Sequence, residues 1–354
     1  MKRIIFLILV CVLVTILLQP VKADRGLIPV TSSVSIYEPG QKAILAWNGQ
    51  EEIMILSTDV SSTSETLLLE ILPLPSQPIV EAASLHSFEE IQDLIWEEGM
   101  FLYYSGNKRD TVSNSVLIVF NGQIGAHNVT VVRASDASEL VSWINSFLAG
   151  SGFNEQMSLG KSESVIVDYM QRGFRYYCLD IITVSQARKS VDPLLYRFNS
   201  SFLYYPLLIT SPVGGSTEIT LFLLTTSKIS QGSLSPMMIV YYRLYGGSAQ
   251  PIEFVLSKGR LARINLRIGE LFQDQAWLTV VKYEGPVSVL NDDLMLTAEA
   301  LQTDQSPIEN SQPIVNVHVD IPTSLIFVCM LLGGVSVVGG VLATALITRS
   351  RKKT

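Results

Sequence analysis

An uncharged apolar segment, Leu325 to Ile347, constrains this 354-residue chain more than any other feature of its sequence. As a helix it would extend for about 34 Å, enough to cross a hydrocarbon layer about 30 Å thick. The residues that follow, 348–354, include four basic side chains, and basic flanks stay on the cytoplasmic side of a membrane. The pattern predicts one C-terminal transmembrane helix over 324–347 and a basic cytoplasmic tail over 348–354.

The other end of the chain has the order of a secretory signal. Lys2 and Arg3 precede an apolar run over residues 4–18, and Val21-Lys22-Ala23 then offers a small-residue cleavage site. We therefore expect a signal peptide over 1–23. The alternative is an uncleaved anchor, although the run is shorter than the ~20 residues of a spanning helix. Both interpretations keep the basic N-terminal flank in the cytoplasm and export the bulk of the chain. With the signal peptide cleaved, we expect a single-pass protein of the cell membrane, with the ectodomain outside and the C-terminus in the cytoplasm.

Charge is distributed unevenly along the chain. All 32 acidic residues lie between Asp24 and Asp320, whereas seven of the 25 basic residues lie outside that span, so the middle carries 18 basic against 32 acidic residues, a formal charge of −14. Such a surface repels phosphate backbones, which excludes nucleic acid as an expected partner.

Small residues recur at spacings of three and four within the predicted span. They are Gly333, Ser336, Gly340 and Thr344. These positions share one stripe of a helix, and a small-residue stripe lets two spanning helices approach closely. The stripe is a candidate site for helix association between copies. Glycine is common in spanning helices in any case, so a chance pattern is the alternative.

The first half of the ectodomain contains alternating strand patterns. Residues 42–47 and 52–57 flank Asn48-Gly49, a pair whose tolerance of positive φ predicts a β-hairpin. Residues 116–120 and 129–133 predict a second hairpin after Asn121-Gly122, with a longer loop over 123–128. A further strand over 66–72 is expected to end at Pro73, because proline lacks the donor that a ladder needs.

Helices are predicted between these strands. Two capping boxes each pair an N-cap side chain with an acidic residue three positions on. They are Ser87 with Glu90 and Asp136 with Glu139. A third helix is expected from about Ser162 until Gly173. The combination is typical of an α+β fold, with antiparallel sheets and covering helices.

After about Val191 the pattern becomes almost entirely strand-like. Runs rich in β-branched and aromatic residues lie between Gly, Ser and Pro clusters. They cover 201–210, 218–225, 237–245, 252–256 and 276–282. The predicted organisation is an α+β ectodomain region over 24–190, a mostly β ectodomain region over 191–296 and a polar stalk over 297–323.

Six stretches of the chain occur in a characteristic order. They are Gly40 to Gly49, Leu72 to Pro78, the helix around Phe88, Ile124 to Val131, Leu140 to Ile144, and Val167 to Tyr169 leading through Gly173. In this order, over about 26–226, the chain resembles a predicted-secreted family catalogued as domain of unknown function 2330. The resemblance implies export and this mixed fold. Because that family has no assigned activity, it implies no catalytic residue. Many relatives carry cysteines near the mature N-terminus, where this chain has none.

Linear motifs for metal, phosphate or nucleophile chemistry are missing from the sequence. The three histidines, His86, His127 and His318, are far apart, and no His-Glu-x-x-His or cysteine pair occurs. Gly-x-Ser-x-Gly, Gly-x-Gly-x-x-Gly and the phosphate loop do not occur either. Asn291-Asp292-Asp293 lacks the spaced acidic ladder of a calcium loop, which favours a polar turn. We therefore expect no cofactor, no metal and no catalytic residue that a linear motif would identify.

Two residues have a functional and a structural interpretation. Cys178 is the one cysteine between the terminal segments, and its strand-like surroundings predict a buried small hydrophobe rather than a nucleophile. His127 is expected on a loop, and loops on rigid scaffolds often carry function. It is therefore a weak functional candidate, with a loop or core histidine as the alternative.

Partner sites are suggested by two further patterns. Asn128 and Asn199 begin Asn-x-Ser/Thr sequons and are candidate glycosylation sites. Tyrosine pairs recur at 103–104, 176–177, 204–205 and 241–242, and neighbours in a strand face opposite sides. Outward rings would offer a platform for a protein or glycan partner outside the cell, and core packing is the alternative.

The sequence thus predicts an uncharacterised, membrane-anchored cell-surface protein. The complete anchoring pattern and the missing catalytic motifs favour a non-enzymatic binding or scaffolding module. One alternative is an envelope hydrolase without a linear catalytic motif. The other is an accessory subunit of a membrane complex that meets its partner through the spanning helix.

Overall fold

A computed structural model describes ten ranges of the chain: 27–29, 36–62, 66–100, 122–124, 127–150, 161–184, 189–190, 192–213, 215–242 and 248–301. They belong to one unit of the chain that ends at Asp304. No helix within these ranges is both long and apolar enough to cross a membrane. The predicted signal peptide over 1–23, the span over 324–347 with its small-residue stripe, and the tail over 348–354 lie outside the described residues.

Strands make up most of the regular structure. In chain order they are β1 (Leu27–Pro29), β2 (Ile36–Trp47), β3 (Glu51–Ser62), β4 (Thr66–Leu74), β5 (Ile79–Ala82), β6 (Gly122–Ile124), β7 (His127–Arg133), β8 (Tyr176–Val184), β9 (Lys189–Ser190), β10 (Leu194–Asn199), β11 (Leu203–Tyr205), β12 (Ser216–Thr225), β13 (Met238–Ile239), β14 (Tyr241–Tyr242), β15 (Gln250–Pro251), β16 (Glu253–Ser257), β17 (Gln275–Pro286) and β18 (Leu294–Leu296).

The described ranges contain fewer helices than strands. They are α1 (His86–Glu97), α2 (Ala137–Gly150), α3 (Lys161–Gln171), α4 (Lys258–Ile264) and α5 (Leu266–Leu271). Short 3-10 turns cover Leu208–Val213, Gln231–Ser233, Val287–Val289 and Ala298–Ala300. The prediction of a mixed α+β fold, mostly sheet, is confirmed.

The larger sheet has the strand order β13-β17-β12-β2-β3-β10-β5, with β16 also pairing β17 and β9 pairing β3. Its neighbours are antiparallel except β2 and β12, which run parallel. The expectation of purely antiparallel sheets is therefore wrong at this pair. A tight turn imposes antiparallel pairing only on consecutive strands, and the long excursion between β2 and β12 permits the parallel arrangement.

The smaller sheet has the order β1-β4-β8-β7-β6, and all its neighbours are antiparallel. Two further ribbons pair β11 with β18 and β14 with β15. The smaller sheet uses only strands that precede residue 190. The larger sheet combines strands from both sides of residue 190. The predicted division into two regions at that point stays a prediction.

Alternating side chains give the larger sheet two buried faces. Leu45, Met54 and Leu221 join residues of the smaller sheet and of α2 and α3 in one hydrophobic core. Ile44, Ile55 and the neighbouring face of β12 join α1, α4 and α5 in a second core. The larger sheet is therefore a central layer, with the smaller sheet on one side and three helices on the other.

The hairpin at Asn48-Gly49 is confirmed. β2 and β3 pair as far as Trp47 with Glu52, and Gly49 has a φ of +98°. Asn48 stabilises the turn because its side-chain oxygen accepts the backbone N–H of Glu51 at 2.9 Å.

The second predicted hairpin differs in its loop. Residues 116–120 lie outside the described residues. Gln123 and Ile124 belong to β6 and pair with Asn128 and His127 of β7, so the predicted loop over 123–128 is wrong. The ladder continues to the pair of Ile124 with His127.

The predicted helix starts are confirmed in one case and wrong in another. Asp136 caps α2, because its Oδ1 accepts the N–H of Glu139 at 3.0 Å. Ser87 does not cap α1. It is buried in the first turn, and Ser84 Oγ instead accepts the N–H of His86 at 3.2 Å. The N-cap position of α1 is Leu85, which makes no side-chain cap hydrogen bond, so the helix starts before the predicted box.

Three other expectations are wrong. β4 continues through Pro73 to Leu74, with Pro73 opposite Tyr177. The run over 201–210 contains only the short strand β11 before a 3-10 turn. Helices α4 and α5 interrupt a region read as strands. They are too short for a helical period to show against neighbouring β-branched residues.

Candidate functional site

Four polar residues of the smaller sheet share one face. β4, β8 and β7 are adjacent, with Glu70 opposite Asp180 and Ile182 opposite His127. Because side chains alternate along a strand, Glu70, Cys178, Asp180 and His127 point to the same side. All four are buried. We call these four residues the polar cluster.

His127 is held through both ring nitrogens. Nδ1 is hydrogen-bonded to Oδ2 of Asp180, and Nε2 lies 2.6 Å from the carbonyl oxygen of Asp192. A carbonyl oxygen can only accept, so Nε2 carries a hydrogen and donates it. A carboxylate likewise accepts, so an imidazolium that donates from Nδ1 fits both partners. We call the ring with its two acceptors the His127 clasp.

The electrostatics of the cluster favour the charged ring. Burial disfavours the cation, but the hydrogen bond and negative charge of Asp180 outweigh it, aided by the Asp192 carbonyl and the charge of Glu70. Together they raise the pKa of His127 above 6.5. The surroundings of the ring therefore favour its protonated form.

The clasp joins the two sheets. His127 and Asp180 belong to the smaller sheet, whereas Asp192 lies two residues before β10 of the larger one. Cys178 forms a second link, because its side chain has a hydrogen bond with Tyr196 of β10. The polar cluster therefore lies where the smaller sheet meets the entry to β10.

Cys178 is confirmed as a buried residue. Burial raises the pKa of its thiol well above 9.0, and the charges of Asp180 and Glu70 add to the rise, while Tyr196 partly offsets it. Nucleophilic cysteines need the thiolate, which this environment opposes.

His127 itself lies in strand β7, not on the predicted loop. It is 5% exposed, and both of its nitrogens are occupied by internal acceptors. A general base needs a nitrogen within reach of a substrate proton. Both ring nitrogens of His127 are therefore used in internal contacts, and neither is placed to take a proton from a substrate.

A second network occupies the carboxylate considered for calcium. Asp293 Oδ1 accepts from the Tyr169 hydroxyl at 2.7 Å and from the N–H of Leu208 at 3.0 Å. Arg172 lies 3.0 Å from Oδ2, and its guanidinium carbon is 4.4 Å from the centre of the Tyr169 ring. An arginine thus takes the cation position beside this carboxylate. Within the described ranges, no group of three or more His, Cys, Asp and Glu side chains is placed to hold a metal ion.

Glu51 and Glu52 separate as their alternation requires. Glu51 accepts from Arg197 Nη2 at 3.1 Å on the outer surface. Glu52 is fully buried, and its Oε2 accepts the N–H of Tyr204 at 2.7 Å. Burial raises the pKa of Glu52 well above 4.5, and the Tyr204 hydrogen bond offsets only part of the rise.

The remaining predicted sites are dispersed. Asn128 and Asn199 are exposed on β7 and at the end of β10, and their glycosylation stays a prediction. His86 lies on α1 with a side chain that is 65% exposed. Tyr204 and Tyr205 are both fully buried, which removes that pair from an outward aromatic platform. Tyr103, Tyr104 and His318 lie outside the described residues.

The partners of His127 were not found from the sequence. Glu70 and Asp180 each interrupt an apolar strand run, Leu67 to Leu72 and Tyr177 to Ile182. A charged residue at the centre of such a run rarely stays buried unless it is paired. That signal could have identified both carboxylates, but not the histidine they accompany.

The fold and the cluster define an α+β domain of two packed sheets with a buried histidine–aspartate pair between them. The chain belongs to the family described as "Uncharacterized protein conserved in bacteria (DUF2330)", whose model matches residues 21–297. The resemblance stated from the sequence is confirmed, and the match extends it beyond residue 226.

Comparisons outside the family are distant. A search of curated proteins found no match. Among solved structures, the chain is similar to the crystal structure of baculovirus P35, with 10% identity and a TM-score of 0.38 over 75% of this chain and 97% of that one. The chain is also similar to the crystal structure of a mutated baculovirus P35 after caspase cleavage. The identity there is 11% and the TM-score 0.37, over 73% of this chain and 99% of that one. Likeness at this level carries no conclusion about fold or function.

Proposed function

We propose that this bacterial protein is anchored in the cell membrane by one span and uses its external domain to bind or scaffold another envelope component, a protein or a glycan, without catalysis. The observation that carries the proposal is the internal use of the groups suited to chemistry. His127, Cys178 and Asp293 are buried and engaged by neighbouring residues. The anchoring part rests on the apolar terminal segments and their basic flanks.

Protease added to intact cells tests the anchoring. The full chain, with an epitope tag after Thr354, is expected to lose its middle while a short tagged fragment stays protected. Permeabilised cells serve as the control, since the tag is then digested too. A middle that stays intact on whole cells while permeabilised cells digest it would contradict the orientation.

Crosslinking in native membranes tests the binding role. The full chain is expected to give discrete crosslinked species that persist when Gly340→Ile disturbs the small-residue stripe. If every crosslinked species is lost in that variant, the interaction depends on the spanning helix, as expected for an accessory subunit. A chain that yields no crosslinked species would contradict the binding role itself.

A further inference from the structure

We propose that the His127 clasp is a proton-controlled switch between the two sheets, which holds Asp192 against the polar cluster while the ring carries two protons and releases it when one is lost. The clasp spans both sheets, and its geometry has a place for each of the two ring hydrogens. The inference concerns the domain alone and does not depend on the proposed function.

The argument begins with the hydrogens. A neutral imidazole has a single N–H, so it can donate to Asp180 or to the Asp192 carbonyl, but not to both. The nitrogen without hydrogen would then face an oxygen lone pair. Loss of one proton therefore removes one of the two bonds and replaces it with repulsion.

The surroundings decide which bond is lost. The titratable groups that face the ring are Asp180 and Cys178 from β8 and Glu70 from β4, and Tyr196 of β10 approaches through the thiol. Hydrogen bonds to a charged acceptor are stronger than those to a neutral one. The neutral ring keeps its bond to the Asp180 carboxylate and releases the Asp192 carbonyl.

Release opens the cluster from the side of β10. Asp192 is the last residue but one before this strand, and its carbonyl is the contact that joins the strand entry to His127. β10 itself stays paired with β3 and β5, and the Pro193 carbonyl still accepts the N–H of Ala83 at 2.9 Å. The opening is therefore local to Asp192, where solvent gains a path towards the buried polar cluster. Cys178 lies on the same face of the smaller sheet and reports such an opening through its thiol.

The experiment measures labelling of Cys178 by a thiol reagent between pH 6 and pH 9. The full chain carries Cys11→Ser and Cys329→Ser, so that Cys178 is its remaining thiol. Dividing each rate by the rate of the urea-unfolded chain at the same pH removes the ionisation of the thiol itself. With increasing pH, this ratio is expected to rise about tenfold for each unit by which folding raises the pKa of His127.

Two variants separate the clasp from general pH effects. His127→Gln does not titrate and is expected to flatten the rise, whereas His86→Gln, the matched exposed histidine, is expected to retain it. A ratio that stays constant with pH in the parent chain would overturn the proposal, as would a full rise in His127→Gln.

Two measurements keep the test decisive if His127→Gln does not fold. In the parent chain, the midpoint of the rise must coincide with the ring titration of His127 followed by NMR. Labelling must also be nearly independent of low urea concentrations, as local opening is. A different midpoint, or a urea dependence equal to that of global unfolding, would refute the switch.

Discussion

The backbone N–H of Tyr204 donates to Oε2 of Glu52 at 2.7 Å, across 152 residues of sequence. Glu52 is fully buried, and its Oε1 has no hydrogen-bond partner among the described residues. A buried carboxyl with one donor is more stable as the neutral acid than as the carboxylate. Burial therefore raises the pKa of this carboxyl well above 4.5 and favours its neutral form.

Glu52→Gln is expected to remove the destabilisation that ionisation of this buried carboxyl causes as pH rises to neutral. The folded pKa of Glu52 lies above 4.5, so its contribution is fully present below that pH and is lost as pH rises towards the folded value. The loss amounts to about 1.4 kcal/mol for each unit of the rise. Urea unfolding at pH 4.5–8 should show the variant gaining stability relative to the parent as pH increases. Glu51→Gln, the surface neighbour, should show no such gain, and a flat difference for Glu52→Gln would disprove the neutral acid.

His127→Ala is expected to destabilise the domain by about 3–5 kcal/mol, because it leaves the buried carboxylate of Asp180 without its partner. The matched change His86→Ala removes an exposed side chain and should shift the free energy of unfolding by no more than about 0.5 kcal/mol. Chemical denaturation of both variants gives the comparison. Equal effects would mean that the clasp adds nothing to stability.

Gly269→Ala is expected to destabilise the helical layer. A Cβ at this position would lie 2.7 Å from the Cβ of Ala262 and 2.9 Å from its Cα, so α4 and α5 would have to separate. Overpacking of this kind costs about 1–3 kcal/mol. Gly259→Ala adds a Cβ in open space on α4 and should stabilise by about 0.5–1 kcal/mol. Thermal unfolding should move in opposite directions for the two variants, and a gain for Gly269→Ala would contradict the close approach.

Tyr169→Phe is expected to cost about 1–3 kcal/mol, because it leaves the N–H of Ile209 and the carboxylate of Asp293 each without one hydrogen bond. Tyr241→Phe makes the same change on a ring that is 46% exposed and should have little effect. Urea midpoints that coincide for the two variants would show that the buried hydroxyl is dispensable.

Local sequence patterns predicted much of the fold. Asn48-Gly49 marks a turn, Asp136 marks a helix start and Gly173 marks a helix end, because each effect acts within a few residues. The parallel pairing of β2 with β12 was not predictable in this way, since nothing local specifies which distant strand lies alongside.

The candidate site depends even more on distant contacts. His127 and Asp180 are separated by 53 residues, and each looks ordinary in its own strand. Both could be assigned to a buried pair only once β7 and β8 were known to be neighbours in register. The sequence did identify His127 as the residue to examine, but it placed the ring on a loop and gave it no partner.

The protonation state of His127 tests the account most directly. The ¹⁵N chemical shifts of its two ring nitrogens, measured in the full chain at pH 6.5, distinguish an imidazolium from either neutral tautomer. Hydrogens on both Nδ1 and Nε2 are the predicted result, with a titration midpoint above 6.5. A neutral ring with one bare nitrogen at that pH would contradict the buried ion pair and the switch built on it.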